Sequence, residues 1–180
     1  MSSTSVEQID GLSTPDVVAR YGVKGTHAAA WLSQQGIAVP EAANRIMRWR
    51  GDGGGRCLRL GHHEFLVEHD TTAPPSFTDL SHDGAWLLTR SDASLLLDGP
   101  SWPAALTQLC SFDFGRLQAD PDMVVMTLAA GIAVTLVREP RPVDQPRIAL
   151  RLWCDASHGP YLRQCLQQLT FPARADGGQR

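Results

Sequence analysis

The chain has 180 residues, 43% of them hydrophobic and 19% charged, with a formal net charge of -3 at pH 7. That length and composition suit one soluble globular domain, or two small halves sharing a core, and a sequence pI near 6.0 argues against a general nucleic-acid binder. No run approaches the roughly 20 apolar residues of a membrane span, and residues 1–10 carry neither a basic nor an apolar region, so no secretory signal is read and a cytoplasmic protein is expected.

Residues 1–14 are polar and rich in Ser and Thr, which reads as a flexible N-terminal arm. A first half over 15–69 follows, in the order β-α-β-β. Val17 to Val23 suggest an extended segment that runs into a helix with Thr26 as its N-cap and Gly36 as its stop. Strands are expected over 44–50 and 56–60, across the loop Gly51-Asp-Gly-Gly-Gly55, and again over 64–68. The stretch 70–79, with Pro74-Pro75, is the linker between halves.

The second half, 80–171, reads as β-β-α-β-β-β-α. Strands over 84–90 and 93–97 end at Asp98-Gly-Pro100, and Trp102, Ala105, Leu106 and Leu109 make one stripe of a three-turn helix. A hairpin is expected over 123–137 around Ala130-Gly131. The prolines between 139 and 146 hold that stretch out of helix or central strand. A strand over 148–153 then feeds a helix over 157–169, with Pro160 in its first turn and Asp155 as its cap. Residues 172–180 read as a disordered tail. A shift of 74 residues carries Gly25 onto Gly99, Leu32 onto Leu106 and Gln34 onto Gln108, which points to one unit used twice. The expected architecture is α+β: two ferredoxin-like halves of antiparallel sheet with helices on one side.

Little in the chain reads as chemistry. The loop Gly51–Gly55 opens a strand rather than a helix and lacks the Lys-Ser/Thr of a phosphate loop, so it reads as a hairpin loop. Arg45, Arg48, Arg50, Arg56 and Arg59 crowd around it, either as an anion or partner contact or as two solvated strand faces. His62 and His63 are adjacent, without the spacing of a zinc-binding helix. The four cysteines, Cys57, Cys110, Cys154 and Cys165, form no CxxC pair and read as buried thiols in a reducing compartment. Cys154 and His158 straddle a strand-to-helix junction, where a structural role outweighs a thiol–imidazole pair. No catalytic, metal or cofactor-binding residue is assigned. Five tryptophans, Trp31, Trp49, Trp86, Trp102 and Trp153, are candidates either for the core or for a permanent interface above the roughly 1,600 Å² of a standard complex.

Several stretches, taken together, resemble a known family. Leu60-Gly-His-His-Glu-Phe-Leu-Val67 is similar to an "LGPxEWLL" segment of the gamma subunit of heterotetrameric sarcosine oxidase. Asp79-Leu-Ser-His82 resembles the opening of that subunit's second half. Leu97-Asp-Gly-Pro100, with Ala105-Leu106, Leu109-Cys110 and Asp113-Phe114, is similar to its "LSGP…C…DL" stretch, and Thr127 to Val134 resembles its "TRLAGVxV" hairpin. Order and spacing agree over about residues 20–169. Two departures stand out. Neither His62 nor His63 is the family's proline, and Trp153-Cys-Asp-Ala-Ser157 lacks its Arg-Ser pair.

The resemblance implies an aminomethyltransferase, folate-binding-domain-like fold and a non-catalytic accessory subunit in a complex that oxidatively demethylates sarcosine to glycine. FAD, FMN, NAD and tetrahydrofolate would then belong to the alpha and beta subunits and zinc to delta, with these subunits as partners and no cofactor in this chain. A gamma-like subunit of an N-methylglutamate dehydrogenase, and a stand-alone module binding folate or a small anion through the Arg45–Arg59 hairpin, are the alternatives.

Overall fold

The structure, a computed structural model, describes residues 6–8, 11–15, 19–49, 54–70, 81–82, 84–140 and 149–172. Arg50, the loop 51–53, the linker 71–80, the prolines of 141–148 and the tail 173–180 lie outside the described residues. Two short strands, β1 (Val6–Gln8) and β2 (Leu12–Ser13), precede a first unit made of β3 (Ala19–Lys24), α1 (Ala28–Gln34), β4 (Arg45–Trp49), β5 (Gly55–Arg59) and β6 (Glu64–His69). β7 (Ser81–His82) and β8 (Ala85–Thr89) lead into a second unit: β9 (Ala93–Asp98), α2 (Trp102–Leu106), α3 (Gly115–Ala119), β10 (Val124–Ala129), β11 (Ile132–Glu139) and β12 (Ala149–Cys154). A 3-10 turn over Ala156–His158 opens α4 (Gly159–Gln167), and β13 (Thr170–Pro172) pairs with β1.

The first sheet runs β4-β5-β6-β3-β8-β7 and the second β10-β11-β12-β9-β2, with every neighbour antiparallel. The described residues are therefore α+β with two large antiparallel sheets beside the small β1-β13 pair, compatible with the two ferredoxin-like halves expected. The units repeat one wiring, in which the last strand returns to lie beside the first. The repeat holds at the 74-residue shift. Tyr21 and Val23 are buried where Leu95 and Leu97 are, and Ala28 and Leu32 where Trp102 and Leu106 are. Gly25 and Gly99 both take positive φ, 127° and 157°. At Gly25 a Cβ would lie 2.1 Å from the Gly84 carbonyl oxygen, so the strand-to-helix bend accepts no side chain there.

Strand alternation divides each unit's apolar residues between two layers. One face of the first sheet (Tyr21, Val23, Phe65, Val67) packs under α1 through Trp31 and Leu32. One face of the second (Leu95, Leu97, Leu136, Leu152) packs under the helices through Trp102, Leu106, Leu117, Leu162 and Leu166. The remaining faces meet each other: Ile46, Leu58 and Leu66 against Val124, Val137 and Trp153. The order is helix, sheet, sheet, helix. A half-turn relates the sheets at the bridge between Arg45 and Met123. Ile46 N–H donates to the Asp122 carbonyl at 3.0 Å and Val124 N–H to that of Asn44 at 2.9 Å, each bond the counterpart of the other.

The local differences from the sequence reading have simple causes. The strand expected to open the second half, β8, pairs with β3 of the first sheet, while β2, within the supposed N-terminal arm, pairs with β9 of the second. Each therefore adds a strand to the other half's sheet. The helix at 102 stops at Leu106, because its carbonyl takes the N–H of both Leu109 and Cys110 and the last turn tightens. α3 has no counterpart in the sequence pattern, since five residues carry no periodicity; its entry is set by Asp113 Oδ1 accepting the Gly115 N–H at 2.9 Å. Asp155 caps the 3-10 turn rather than α4 itself, accepting the Ser157 N–H at 2.9 Å; α4 starts at His158 without a side-chain cap.

Candidate functional site

The most unusual chemistry lies between the two sheets, beside their shared apolar core. Glu68 on β6 is fully buried, and two guanidiniums from opposite halves reach it. Arg20 Nε on β3 donates to Oε1 at 2.6 Å, and Arg151 Nη1 on β12 to Oε2 at 3.0 Å. Trp153 Nε1 donates to Oε1 at 2.7 Å, and Arg56 Nε on β5 lies 3.6 Å from Oε2. Arg56 and Arg151 also share Glu139 on β11, the latter at 2.8 Å, and Arg56 pairs with Asp70 at 2.7 Å.

The charges balance: three guanidiniums face Glu68, Glu139 and Asp70. For Arg56, burial is the largest influence and pulls the pKa down, but Glu139, Asp70 and Glu68 together leave it raised. Arg151 is lowered, first by burial and then by the neighbouring Arg56 charge. Taking charges out of water costs several kcal/mol per ion, and only close pairing with good geometry offsets it. The cluster joins the halves and has no cation to spare for a ligand.

Of the charged residues in it, the sequence reading singles out one. Of the arginines flagged around the glycine loop, Arg56 is in the cluster. Arg48 reaches the carbonyl of Arg138 and lies 3.1 Å from Asp122, its pKa lowered mainly by burial. Arg45 pairs with Asp120. Arg59 donates to the carbonyls of Glu41 at 2.6 Å, His62 at 2.9 Å and Pro40 at 3.1 Å, and lies over the Phe65 ring. Arg50 is outside the described residues. The described four are therefore engaged in internal contacts. Arg20, Glu68, Glu139 and Arg151 are not legible as a cluster because the sequence places them on separate strands without showing that the two strand sets meet face to face. The legible signal was the alternation: Arg20 and Glu68 both fall on the faces that avoid the helices.

Of the five tryptophans, Trp31, Trp102 and Trp153 are core residues, Trp49 is half-buried, and Trp86 is 57% exposed on β8. Trp49 packs edge-on to His69, whose Nε2 lies 3.0 Å from the Tyr21 hydroxyl, and burial raises the Tyr21 pKa. Cys154 is buried in the core beneath α4, while His158 is exposed at that helix's start. Burial first, then Asp155 and Asp92, push the Cys154 thiol up, the opposite of what a nucleophile needs. Burial pushes the Cys57 thiol up to about 12. His62 and His63 sit in the bend between β5 and β6, ring centres 6.4 Å apart. Among the described residues, no three His, Cys, Asp or Glu side chains are placed to hold a metal, and no helix is long and apolar enough to cross a membrane.

Beside the cluster lies an open groove of about 730 Å³. Its floor is the part of the second sheet that the first leaves uncovered, including Met126, Leu128, Thr135 and Trp153, and its rim is the loop from Thr89 to Asp92. Arg90 in that rim is neutralised by Asp92 at 2.7 Å, and this bond raises its pKa. Trp153 thus touches the charge cluster with its Nε1 and lines the groove as well. Compared with known proteins, the chain matches no protein-family model and no curated protein sequence.

Proposed function

We propose that the chain is an accessory subunit of a larger oxidoreductase rather than a self-sufficient enzyme. In particular, it acts as the gamma-like subunit of a flavin-dependent heterotetrameric sarcosine oxidase and supports assembly of the complex that demethylates sarcosine to glycine. One observation carries the reading. The family-like stretches, in their order, fall on the turns of a duplicated unit. Leu60–Val67 spans the hairpin between β5 and β6, Leu97–Pro100 the bend at Gly99 into α2, and Thr127–Val134 the hairpin between β10 and β11. This placement supports an aminomethyltransferase-like arrangement of the two halves. The raised thiol pKa values of Cys57 and Cys154 support a role without nucleophilic chemistry in this chain. FAD, FMN, NAD and tetrahydrofolate would be bound by the alpha and beta subunits.

The test is co-expression with candidate alpha and beta subunits. The chain should co-elute with them and raise their yield of assembled flavoprotein, while alone it stays colourless and does not oxidise sarcosine. A stable monomer that fails to co-elute, or stoichiometric flavin on the isolated chain, overturns the proposal.

A second reading, a stand-alone folate- or small-anion-binding module, is favoured by the size of the groove and by Trp153 in its lining. The pairing of Arg90 with Asp92 weighs against anion binding there. Calorimetric titration with tetrahydrofolate separates the two: saturable heat from the isolated chain supports the module, and none supports the subunit.

A further inference from the structure

We propose that the outer edge of β10, from Met126 to Ala129, is a strand-addition site for an extended segment of a protein partner. That segment would carry apolar side chains toward the groove beside Trp153 and a carboxylate toward Arg116. The inference concerns a surface and holds whichever protein supplies the segment.

The register opens the edge. β10 and β11 join through the two-residue turn Ala130-Gly131, both at positive φ, so Ala129 pairs with Ile132, Thr127 with Val134 and Val125 with Leu136 through exchanged hydrogen bonds. Val124, Met126 and Leu128 then direct their backbone groups outward. Val124 N–H is taken by Asn44; no described residue takes those of Met126 and Leu128. Strand pairing along this edge thus reaches Val124 and stops there, because the chain before Asn44, which would lie opposite Met126, is a turn rather than a strand.

The edge is also unguarded. Matching the registers of the two hairpins carries Met126 onto Arg48, so the corresponding edge of the first sheet has an arginine where this one has an apolar side chain. Met126 is 50% exposed and Leu128 59%. The other outer strands, β2 and β7, are two residues long. Native sheets blunt their free edges with charge or brevity, and β10 has neither.

Two clefts specify the occupant. The 730 Å³ groove lies on one face of β10, and a second cleft of about 400 Å³ lies on the other; Met126 and Thr127 line both. Successive side chains of an added strand enter opposite faces. One set meets Leu128 and Met126 at the near side of the groove, which suits apolar residues. The other meets Arg116, exposed, 5.9 Å from the Phe112 ring centre and without a carboxylate partner among the described residues. A second copy of the chain fits less well. Pairing Met126 with Leu128 of another molecule brings that molecule's Ala130 opposite Val124, where Asn44 already sits.

The probe is an acetylated, amidated hexapeptide of alternating valine and aspartate, compared with its valine–lysine counterpart. Amide hydrogen exchange is read by NMR on the full chain. The aspartate peptide should slow exchange at Met126 and Leu128 by about tenfold or more, and the lysine peptide should bind about tenfold more weakly. Arg116→Glu should reverse that preference. Leu128→Lys should weaken both peptides about tenfold with the melting temperature unchanged, because the side chain is exposed. Unchanged exchange at saturating peptide, equal binding of the two peptides, or a dimer that Leu128→Lys dissolves each overturns the proposal, the last by assigning the edge to a second copy.

Discussion

Glu68 shows how a single carboxylate can hold two halves of a molecule. Its partners come from β3, β5 and β12, so its removal leaves buried guanidiniums on both sides of the junction without a counter-charge. Glu68→Gln keeps the shape and removes the charge, and it should cost about 3 kcal/mol of unfolding free energy, measured by urea titration. Arg45→Ala, which breaks only the exposed pair with Asp120, should cost less than about 1 kcal/mol. The buried thiols set an alkaline limit. Cys57 titrates near 12 when folded and near 8.5 when unfolded. Above about pH 8.5 the unfolded chain therefore holds fewer protons, and stability falls as pH rises toward 12, by at most about 1.4 kcal/mol per pH unit from this group. Cys57→Ala should flatten that decline between pH 9 and 11 in a series of melting curves, leaving the slope due to Tyr21 and Cys154, whose pKa values burial also raises. In the sequence, Glu64-Phe-Leu-Val-Glu68 looks like a strand with a glutamate at each end. One of them is half-exposed and the other fully buried, and only the meeting of two sheets distinguishes them.

At the scale of elements, most of the chain could be read from its amino acids, because alternation and turn residues are local signals. The strands of both units lie within a residue or two of expectation, and the 74-residue shift recovers the duplication. What could not be read was partnership. Nothing local in Ala85–Thr89 states that it will pair with β3 across the linker, nor that Leu12 will pair with Leu97. The duplicated bend gives a direct test. Gly25→Ala places a Cβ against the Gly84 carbonyl and the Trp86 ring at a φ of 127°, and should cost about 3 kcal/mol. Gly131→Ala, at a φ of 78° with nothing within 4 Å, should cost only about 1 kcal/mol. Equal losses in urea titrations of the two variants would show that dihedral strain, rather than crowding, sets the cost at Gly25.

For the whole molecule, the sheet face that helices on one side leave bare is largely covered by the other half of the same chain. The two halves also exchange strands, β8 to the first sheet and β2 to the second. Unfolding should therefore be a single transition, with far-ultraviolet circular dichroism and tryptophan fluorescence coincident in urea. A fragment ending at residue 79 lacks the strand that flanks β3 and should not fold. Two resolved transitions, or a folded fragment, would mean that the halves are independent domains. The half-turn between the sheets has a further consequence. Matching the strand registers of the two units makes Glu68 the counterpart of Trp153, and these two residues bond to each other across the junction. Two identical chains meeting on such an axis would set glutamate against glutamate, or indole against indole, and neither pair can make this bond. Covalent fusion of the copies lifts that restriction. Each side of the junction can then mutate alone, and a donor and its acceptor can occupy positions that symmetry would force to be the same.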